Sequence, residues 1–166
     1  MKATIKILSL FVLALIVSSC GKGEEMETLP ENGISGDYLY ESSSKYYDSD
    51  GQFDRDITSS GSIFLKVNIT NSSINLEVKP KYGYIYNVEC NNLQHHGDTT
   101  TFRISRQEIS IDDQLFSVEG TNGIDVGSLG MYDGYYAGDK VYLQYRSINT
   151  TTFDVAKTSI EAVKRN

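Results

Sequence analysis

The chain of 166 residues contains very little of several residue types that build common sites. It has no tryptophan and only two cysteines, Cys20 and Cys90, together with two prolines and two histidines. Platforms that bind sugars usually include tryptophan, so the absence of that residue argues against carbohydrate binding. Two cysteines allow at most one disulfide, so the fold must be stabilised mainly by packing.

Basic residues are also scarce, with 15 lysines and arginines against 22 aspartates and glutamates. Two of the lysines, Lys2 and Lys6, lie in the first 19 residues, so a chain that lacks them has 13 basic and 22 acidic residues and a charge of −9. This charge repels phosphate backbones and disfavours nucleic-acid binding by counterion release. It also repels anionic lipid, so any membrane attachment requires an anchor.

One apolar run stands out, from Ile7 to Val17, and it is preceded by Lys2 and Lys6. It is shorter than the ~20 residues of a transmembrane helix. A positive start, an apolar stretch and the small residues Ser18 and Ser19 predict a cleaved signal peptide over residues 1–19. If the segment is an ordinary signal peptide, the cysteine that follows it, Cys20, is there by chance; the other interpretation is a lipoprotein signal.

The end of this segment, Val17-Ser18-Ser19-Cys20, resembles a bacterial lipobox. The resemblance implies that Cys20 is acylated, for example with palmitate, and becomes the first mature residue at the outer membrane of the cell envelope. Residues 20–35 then form an acidic tether, and Glu24, Glu25 and Glu27 resemble the surface-export signal of Bacteroidota lipoproteins. If Cys20 carries lipid, Cys90 has no disulfide partner within the chain.

Residues 36–166 show the two-residue period of β-strands and form the predicted domain. The clearest hairpin alternates over 63–69 and 74–78, and further strands are predicted over 82–90, 100–105, 108–111, 115–119, 124–129, 141–147 and 151–163. Short turns join these runs, so we predict an all-β, antiparallel, up-and-down barrel of about eight strands.

The more apolar face of each strand predicts which side chains point inward. These are Leu65, Val67, Leu76, Val78, Leu143 and Tyr145, whereas Phe64 falls on the opposite face. Cys90 continues an alternation through Tyr82, Tyr84, Tyr86 and Val88, which indicates a small buried hydrophobic residue.

The start and end of this region resemble lipocalin and calycin barrels, and in particular small lipocalin-like lipoproteins of Bacteroidota. Gly36-Asp37-Tyr38 is similar to the Gly-x-Trp start of those barrels, with tyrosine in place of tryptophan. The stretch 138–145, followed by Thr152-Phe153-Asp154-Val155, is similar to their final hairpin. The resemblance covers residues 36–164 and implies that a basic side chain, Arg146 or Lys164, packs over Tyr38.

Residues 48–56 contain four aspartates, of which Asp48, Asp50 and Asp54 are weak candidates for calcium ligands. The spacing differs from an EF-hand, because glycine comes fourth and Ser59 stands at position twelve. We therefore favour a hairpin loop in which Asp and Gly form the turn, and we predict no metal site.

His95 and His96 would point to opposite faces of a strand, which disfavours a shared metal. No serine or cysteine is identifiable as a nucleophile that one of them could activate, so we predict no catalytic residues, no cofactor and no enzyme. Two hypotheses follow. The first is a lipid-anchored, lipocalin-like module that binds a small apolar ligand. The second is a protein-interaction module, such as a protease inhibitor or an accessory subunit at the cell surface.

Overall fold

The computed structural model describes residues 31–68 and 72–165, which form one short helix and twelve strands. The signal peptide and Cys20 lie outside these residues. The helix α1 spans Glu31–Ile34, and Gly127–Leu129 form a 3₁₀ turn. The strands are β1 (Gly36–Tyr47), β2 (Phe53–Asn68), β3 (Ser73–Pro80), β4 (Tyr86–His96), β5 (Thr99–Arg103), β6 (Gln107–Ile111), β7 (Gln114–Gly120), β8 (Ile124–Asp125), β9 (Met131–Tyr132), β10 (Gly134–Ala137), β11 (Lys140–Asn149) and β12 (Val155–Lys164).

The predicted all-β, antiparallel, ring-shaped architecture is confirmed. Each of β1 to β5 pairs with its neighbour in sequence, β5 pairs with β10, and β10, β11 and β12 continue until β12 pairs with β1. Eight strands therefore close into a ring. The hairpin of β6 and β7 lies between β5 and β10 in the sequence but outside the ring, and its strand β7 pairs with β11. No helix among the described residues combines the length and apolarity needed to cross a membrane.

Strand β11 changes partners along its length, and this divides the molecule into two halves. Its first residues, Lys140 to Leu143, pair with β10, whereas Tyr145 to Asn149 pair with β7. We call the end with β5 and β10 the closed half. The other end, with β6 and β7, is the open half. There the side chain of Gln107 bridges to β4 in place of a strand pairing, since it accepts from the Glu89 amide at 2.9 Å and donates to the Glu89 carbonyl at 2.8 Å.

One continuous cluster of apolar side chains fills the closed half and extends into the open half at Val118 and Tyr145. The strands contribute alternate residues, because successive side chains point to opposite faces. Leu65, Leu76, Val78, Leu143 and Tyr145 are buried and Val67 is partly buried against them, so the predicted inward set is confirmed. The cluster also includes Tyr38, Ile63, Ile74, Val88, Cys90, Phe102, Val141, Ile160 and Ala162.

Helix α1 covers the end of the closed half. Ile34 is buried in the cluster, and its carbonyl accepts a hydrogen bond of 2.5 Å from the Tyr38 hydroxyl. The Gly33 carbonyl accepts from Lys164 at 2.6 Å and from Tyr136 at 3.0 Å. The packed part of the domain therefore begins inside the segment that the sequence predicts to be a tether.

The two candidate basic residues lie in different places. Lys164 is the register partner of Tyr38 across β1 and β12, and it caps α1. Arg146 lies in the other half of β11 and pairs with Glu119 on the surface. Of the two, Lys164 is therefore the one beside the first-strand aromatic.

The buried carboxylate of Asp133 ties together the region where β11 changes partners. One oxygen accepts from the Ile104 amide at 2.9 Å, and the other accepts from the Asn122 amide. The Asp133 carbonyl accepts from the Gln144 amide at 2.7 Å. Gly120 lies against this carboxylate, and a methyl group there would overlap with it. The polar groups at the end of β5 and the start of β10 are satisfied in this way.

Some predicted strands differ from the structure. The run 82–90 begins as a strand only at Tyr86, so Tyr82 and Tyr84 lie in an exposed loop and do not share a face with Tyr86. The run 124–129 contains only the two-residue strand β8 and a 3₁₀ turn, and the last strand begins at Val155. Alternation alone cannot show where a strand loses its neighbour, because pairing depends on the rest of the sheet.

Candidate functional site

In the open half, hydroxyl groups on β1 and its neighbouring strands line part of the interior. Beyond Tyr40, the inward positions of β1 are Ser42, Ser44 and Tyr46, which are half-buried while the residues between them are exposed. Their register partners on β12 include Thr158, and those on β2 include Ser59. Tyr145 on β11 and Tyr86 on β4 complete this layer. The chain therefore changes from an apolar to a polar interior along β1.

These hydroxyl groups bond mainly to one another. The hydroxyls of Tyr86 and Tyr145 are 2.8 Å apart, and those of Ser44 and Thr158 are also 2.8 Å apart. Burial raises the pKa of Tyr145 to about 12 and raises the pKa of Tyr86 well above its usual range. Both hydroxyl groups are therefore neutral hydrogen-bond donors at physiological pH, and they carry no charge that could stabilise a reacting group.

Gly61 lets Tyr40 lie at the boundary between the two halves. A methyl group at position 61 would collide with the Lys79 carbonyl and would press on the Tyr40 ring. Tyr40 is buried, and burial also raises the pKa of its hydroxyl. A glycine in a strand commonly marks such a close approach of a neighbouring group.

Four loops form the rim of the open half: residues 48–52, 81–85, 112–113 and 150–154. Most of the exposed large apolar side chains, six of eleven, lie on or beside these loops. They are Phe53, Tyr82, Tyr84, Ile85, Leu115 and Phe153. Two of the loops also lie close together, because the Asp112 carboxylate raises the pKa of the Tyr84 hydroxyl.

The rim combines aromatic rings with cations. Tyr47 and Phe53 meet edge to face with 6.1 Å between ring centres, and the Lys157 ammonium lies 5.2 Å from the Tyr47 ring. The Arg55 guanidinium lies 5.2 Å from the Tyr46 ring. Tyrosine and arginine are enriched where proteins contact one another, since each offers a large apolar area and a polar group.

A broad, open trough crosses the outer face of β2, β1, β12 and β11. Its floor includes Leu39, Val163 and the stacked rings of Tyr135 and Tyr142, whose centres are 4.8 Å apart. At the β2 side, the trough reaches the strand edge around Thr58 and the loop at Lys81 and Tyr82. It is a surface depression and has the shape for an extended or flat partner rather than an enclosed small molecule.

A second, smaller pocket of about 340 Å³ lies on the surface beside the irregular part of β4. It is lined by Asn92, Leu93, Gln94, Arg103 and Tyr132. The Arg103 guanidinium stacks 4.6 Å from the Tyr132 ring and donates to Asn122, while the Tyr132 hydroxyl donates to Gln94 at 2.9 Å. These partners hold Arg103 against the protein, so the arrangement braces the loop before β10.

The aspartates of the first hairpin form its turn. Asp48 accepts from the amides of Asp50 and Gln52 at 3.0 and 2.8 Å, and Asp54 pairs with Arg55 at 2.6 Å. Residues 48–52 therefore form the turn between β1 and β2. Within the described residues, no three His, Cys, Asp or Glu side chains are grouped so that they could hold a metal.

The remaining sequence candidates are separate from the open half. His95 is half-buried and shares a 2.8 Å hydrogen bond with Thr100, while His96 is exposed, so the two point to opposite faces as expected. Cys90 is fully buried as predicted, and burial raises the pKa of its thiol and keeps it protonated. None of these three residues lies at the rim.

Sequence reasoning did not assign the hydroxyl layer or Asp133. The signal for the layer was present in Ser42-Ser43-Ser44 and Ser59-Ser60, where small polar residues replace the apolar members of an alternating pattern. For Asp133 there was no local signal, because its role depends on amides from three separate segments.

Comparisons with known proteins add little to this geometry. No protein-family model matches the chain, and no curated protein matches it. Among solved structures, it is similar to a protein of unknown function from Bacteroides ovatus, with 16% identity and a TM-score of 0.43. The match covers 79% of this chain and 41% of the other, so the chain spans about two-fifths of that protein's length.

Proposed function

We propose that this chain is a lipid-anchored protein of the cell envelope that binds a protein partner through the rim of its open half. The observation that carries the proposal is the concentration of exposed apolar side chains at that rim. Exposed apolar groups that gather in one region are typical of interaction surfaces, whereas scattered ones are not.

The point at which the chain enters the domain supports a binding surface that faces away from the membrane. Residue 31 enters the domain at the closed end, where α1 packs on Tyr38 and Lys164. A lipid on Cys20, eleven residues earlier, would tether the protein by that end. The rim would then point away from the membrane, toward other proteins. Stable attachment would come from the acyl chains, since one chain alone binds only weakly.

The anchor is tested by Cys20→Ala in the full chain, expressed in a bacterium that processes lipoproteins. We expect the variant to leave the membrane fraction, while Cys90→Ala, which changes the other cysteine, stays with the membranes. If Cys20→Ala still sediments with membranes and resists a salt wash, the anchor is wrong.

The binding surface is tested by placing a photo-crosslinking amino acid at Tyr84 or Phe153, both exposed at the rim. A matched control carries it at Asp98 or Asp139, which are exposed at the closed end. In intact cells we expect a discrete crosslinked species from the rim positions alone. Equal crosslinking from both ends, or crosslinking from the closed end only, would contradict the proposal.

The second candidate is a small apolar ligand, as the lipocalin resemblance implies, and the open half is where it would fit. The specific observation is that Ile109, Phe116 and Tyr86 point toward the core and are only partly buried. Native mass spectrometry of the purified chain tests this candidate, which predicts a bound small molecule that is lost in a Phe116→Ala variant.

A further inference from the structure

Strand β2 is paired on only one side over half its length. Its residues from Phe53 to Ser60 pair with β1, but its pairing with β3 begins only at Gly61, opposite Pro80. The Ser60 carbonyl accepts from the Lys81 amide at 2.8 Å, which ends the unpaired stretch. Among the described residues, none forms a backbone hydrogen bond with the outer edge from Phe53 to Ser59. We call this stretch the β2 edge.

The direction of the backbone groups on the β2 edge follows from its neighbours. The Ser60 carbonyl points toward β3, and the Val67 amide points the other way, toward Ser35 before β1. Since backbone groups alternate along an antiparallel strand, the amides and carbonyls of Asp56 and Thr58 point outward with those of Ser60. Those of Ile57 and Ser59 are directed at β1.

The space beside the β2 edge is open. The trough described above is lined there by Ile57, Thr58 and Ser59 on one side and by Pro80, Lys81 and Tyr82 on the other. Strand β3 ends before it can fill this gap, because the chain turns away after Pro80. An extended chain would meet unpaired backbone groups on one side and Pro80, Lys81 and Tyr82 on the other.

The charges on the β2 edge argue against a second copy of this chain as the occupant. Asp54, Arg55 and Asp56 follow one another, and charged residues on an edge discourage self-association. Pairing two copies about Arg55 would place Asp54 opposite Asp56, and pairing about Asp56 would place that aspartate opposite itself. Like charges directly opposite in a sheet are destabilising.

We propose that the β2 edge binds an extended segment of a partner protein as an added antiparallel strand. The segment would carry basic side chains where it faces Asp54 and Asp56, and apolar side chains where it faces Ile57, which is 38% exposed. Backbone hydrogen bonds would supply affinity and the alternating side chains would supply specificity, as in other cases of strand addition. This inference rests on the proposed function, because it names how the partner is held.

The test uses the full chain in detergent and two synthetic peptides, one of alternating valine and lysine and one of alternating valine and glutamate. We expect the lysine peptide to slow hydrogen exchange at the amides of Asp56 and Thr58 and to bind about tenfold more tightly than the glutamate peptide, the effect of ~1.4 kcal/mol. Equal binding of both peptides, or no protection of these amides, would overturn the proposal.

The variant Thr58→Pro removes one outward amide and places a ring on the edge, whereas Thr58→Ala keeps the amide. We expect Thr58→Pro to lose about tenfold or more of the affinity for the lysine peptide and Thr58→Ala to lose little. Slow exchange at the amides of Leu65 and Leu76 shows whether Thr58→Pro retains the ring. If Thr58→Pro does not fold, hydrogen exchange in Thr58→Ala provides the test. Protection of the amide at position 58 by the lysine peptide supports the proposal, and absence of protection overturns it.

Two further outcomes separate this inference from the proposed function. If rim positions crosslink to a partner while the peptides leave the β2 edge unprotected, the edge proposal fails and the rim proposal stands. If sedimentation shows a dimer of the chain that protects the same amides, the occupant is a second copy and the proposal of a foreign segment is wrong.

Discussion

The closed and open halves share the strands β1, β11 and β12 but differ in what those strands enclose. In the closed half, Tyr38, Val141 and Ala162 point into a packed apolar cluster. In the open half, Ser44, Ser147 and Thr158 take the corresponding inward places on the same strands. One strand can therefore serve as a core element along one half and as the wall of a polar, accessible space along the other.

The difference has a cost in stability and an advantage for binding. Burial of apolar area supplies most of the stabilisation of a fold, so the closed half is expected to hold the ring together. The open half places fewer apolar groups inside and more on its rim. It is therefore the half that can change its contacts with a partner without unfolding the domain.

The largest expected effect is the removal of a closed-half core side chain. Leu76 is fully buried, and Leu76→Ala should lower the free energy of unfolding by ~2–5 kcal/mol, because the transfer energy is lost and a cavity remains. Ile57→Ala, an inward position of the open half, should lower it by less than about 1 kcal/mol. Denaturant unfolding of both variants measures the contrast, and equal losses would erase the distinction between the halves.

The next effect concerns Asp133, at the boundary of the halves. Asp133→Asn should cost ~1–3 kcal/mol, because an amide group replaces one of the two oxygens that accept backbone hydrogen bonds. Asp125→Asn is the control, since its carboxylate makes an exposed bond to the Gly127 amide. A thermal melt of each variant tests this, and a loss no larger than that of the control would show that the boundary needs no buried acid.

The hydroxyl layer predicts a sensitivity to alkaline pH. An unfolded tyrosine ionises near pH ~10, whereas burial raises the pKa of Tyr145 to about 12 in the folded chain. The stabilisation that the neutral Tyr145 hydroxyl gives the folded chain is complete below pH ~10. As the pH rises from ~10 to ~12, the free energy of unfolding falls by ~1.4 kcal/mol per pH unit and this stabilisation is lost. Tyr145→Phe should flatten the fall in stability over this window, while the exposed Tyr82→Phe should not. Equal slopes would contradict the prediction.

The smallest effect is expected from the pair of buried hydroxyls. Tyr86→Phe should cost about 0.5–1.5 kcal/mol, because Tyr145 loses its partner. The double variant Tyr86→Phe with Tyr145→Phe should cost less than the sum of the two single changes, since neither hydroxyl is then left unpaired. A double-mutant cycle measured by urea unfolding tests this, and strict additivity would show that the two hydroxyls are not coupled.

Much of the fold could be predicted because the local alternation of apolar and polar residues shows which face of a β-strand is buried. The alternation in residues 63–69 and 74–78 identified a hairpin and its buried side chains. Prediction was wrong at Tyr82 and Tyr84, where alternating tyrosines continue beyond the last paired residue. A loop can keep a strand-like pattern when nothing beside it requires pairing.

The sequence by itself determined the all-β class, the inward set around Leu65 and Leu76, and the burial of Cys90. These follow from a period of two, which a strand imposes on every residue. The tertiary structure alone decided that β11 changes its partner from β10 to β7, that Asp133 lies at the point of this change, and that β2 has an unpaired edge. Such features depend on which strands become neighbours, and this is governed by contacts between residues far apart in the chain, which no local pattern encodes.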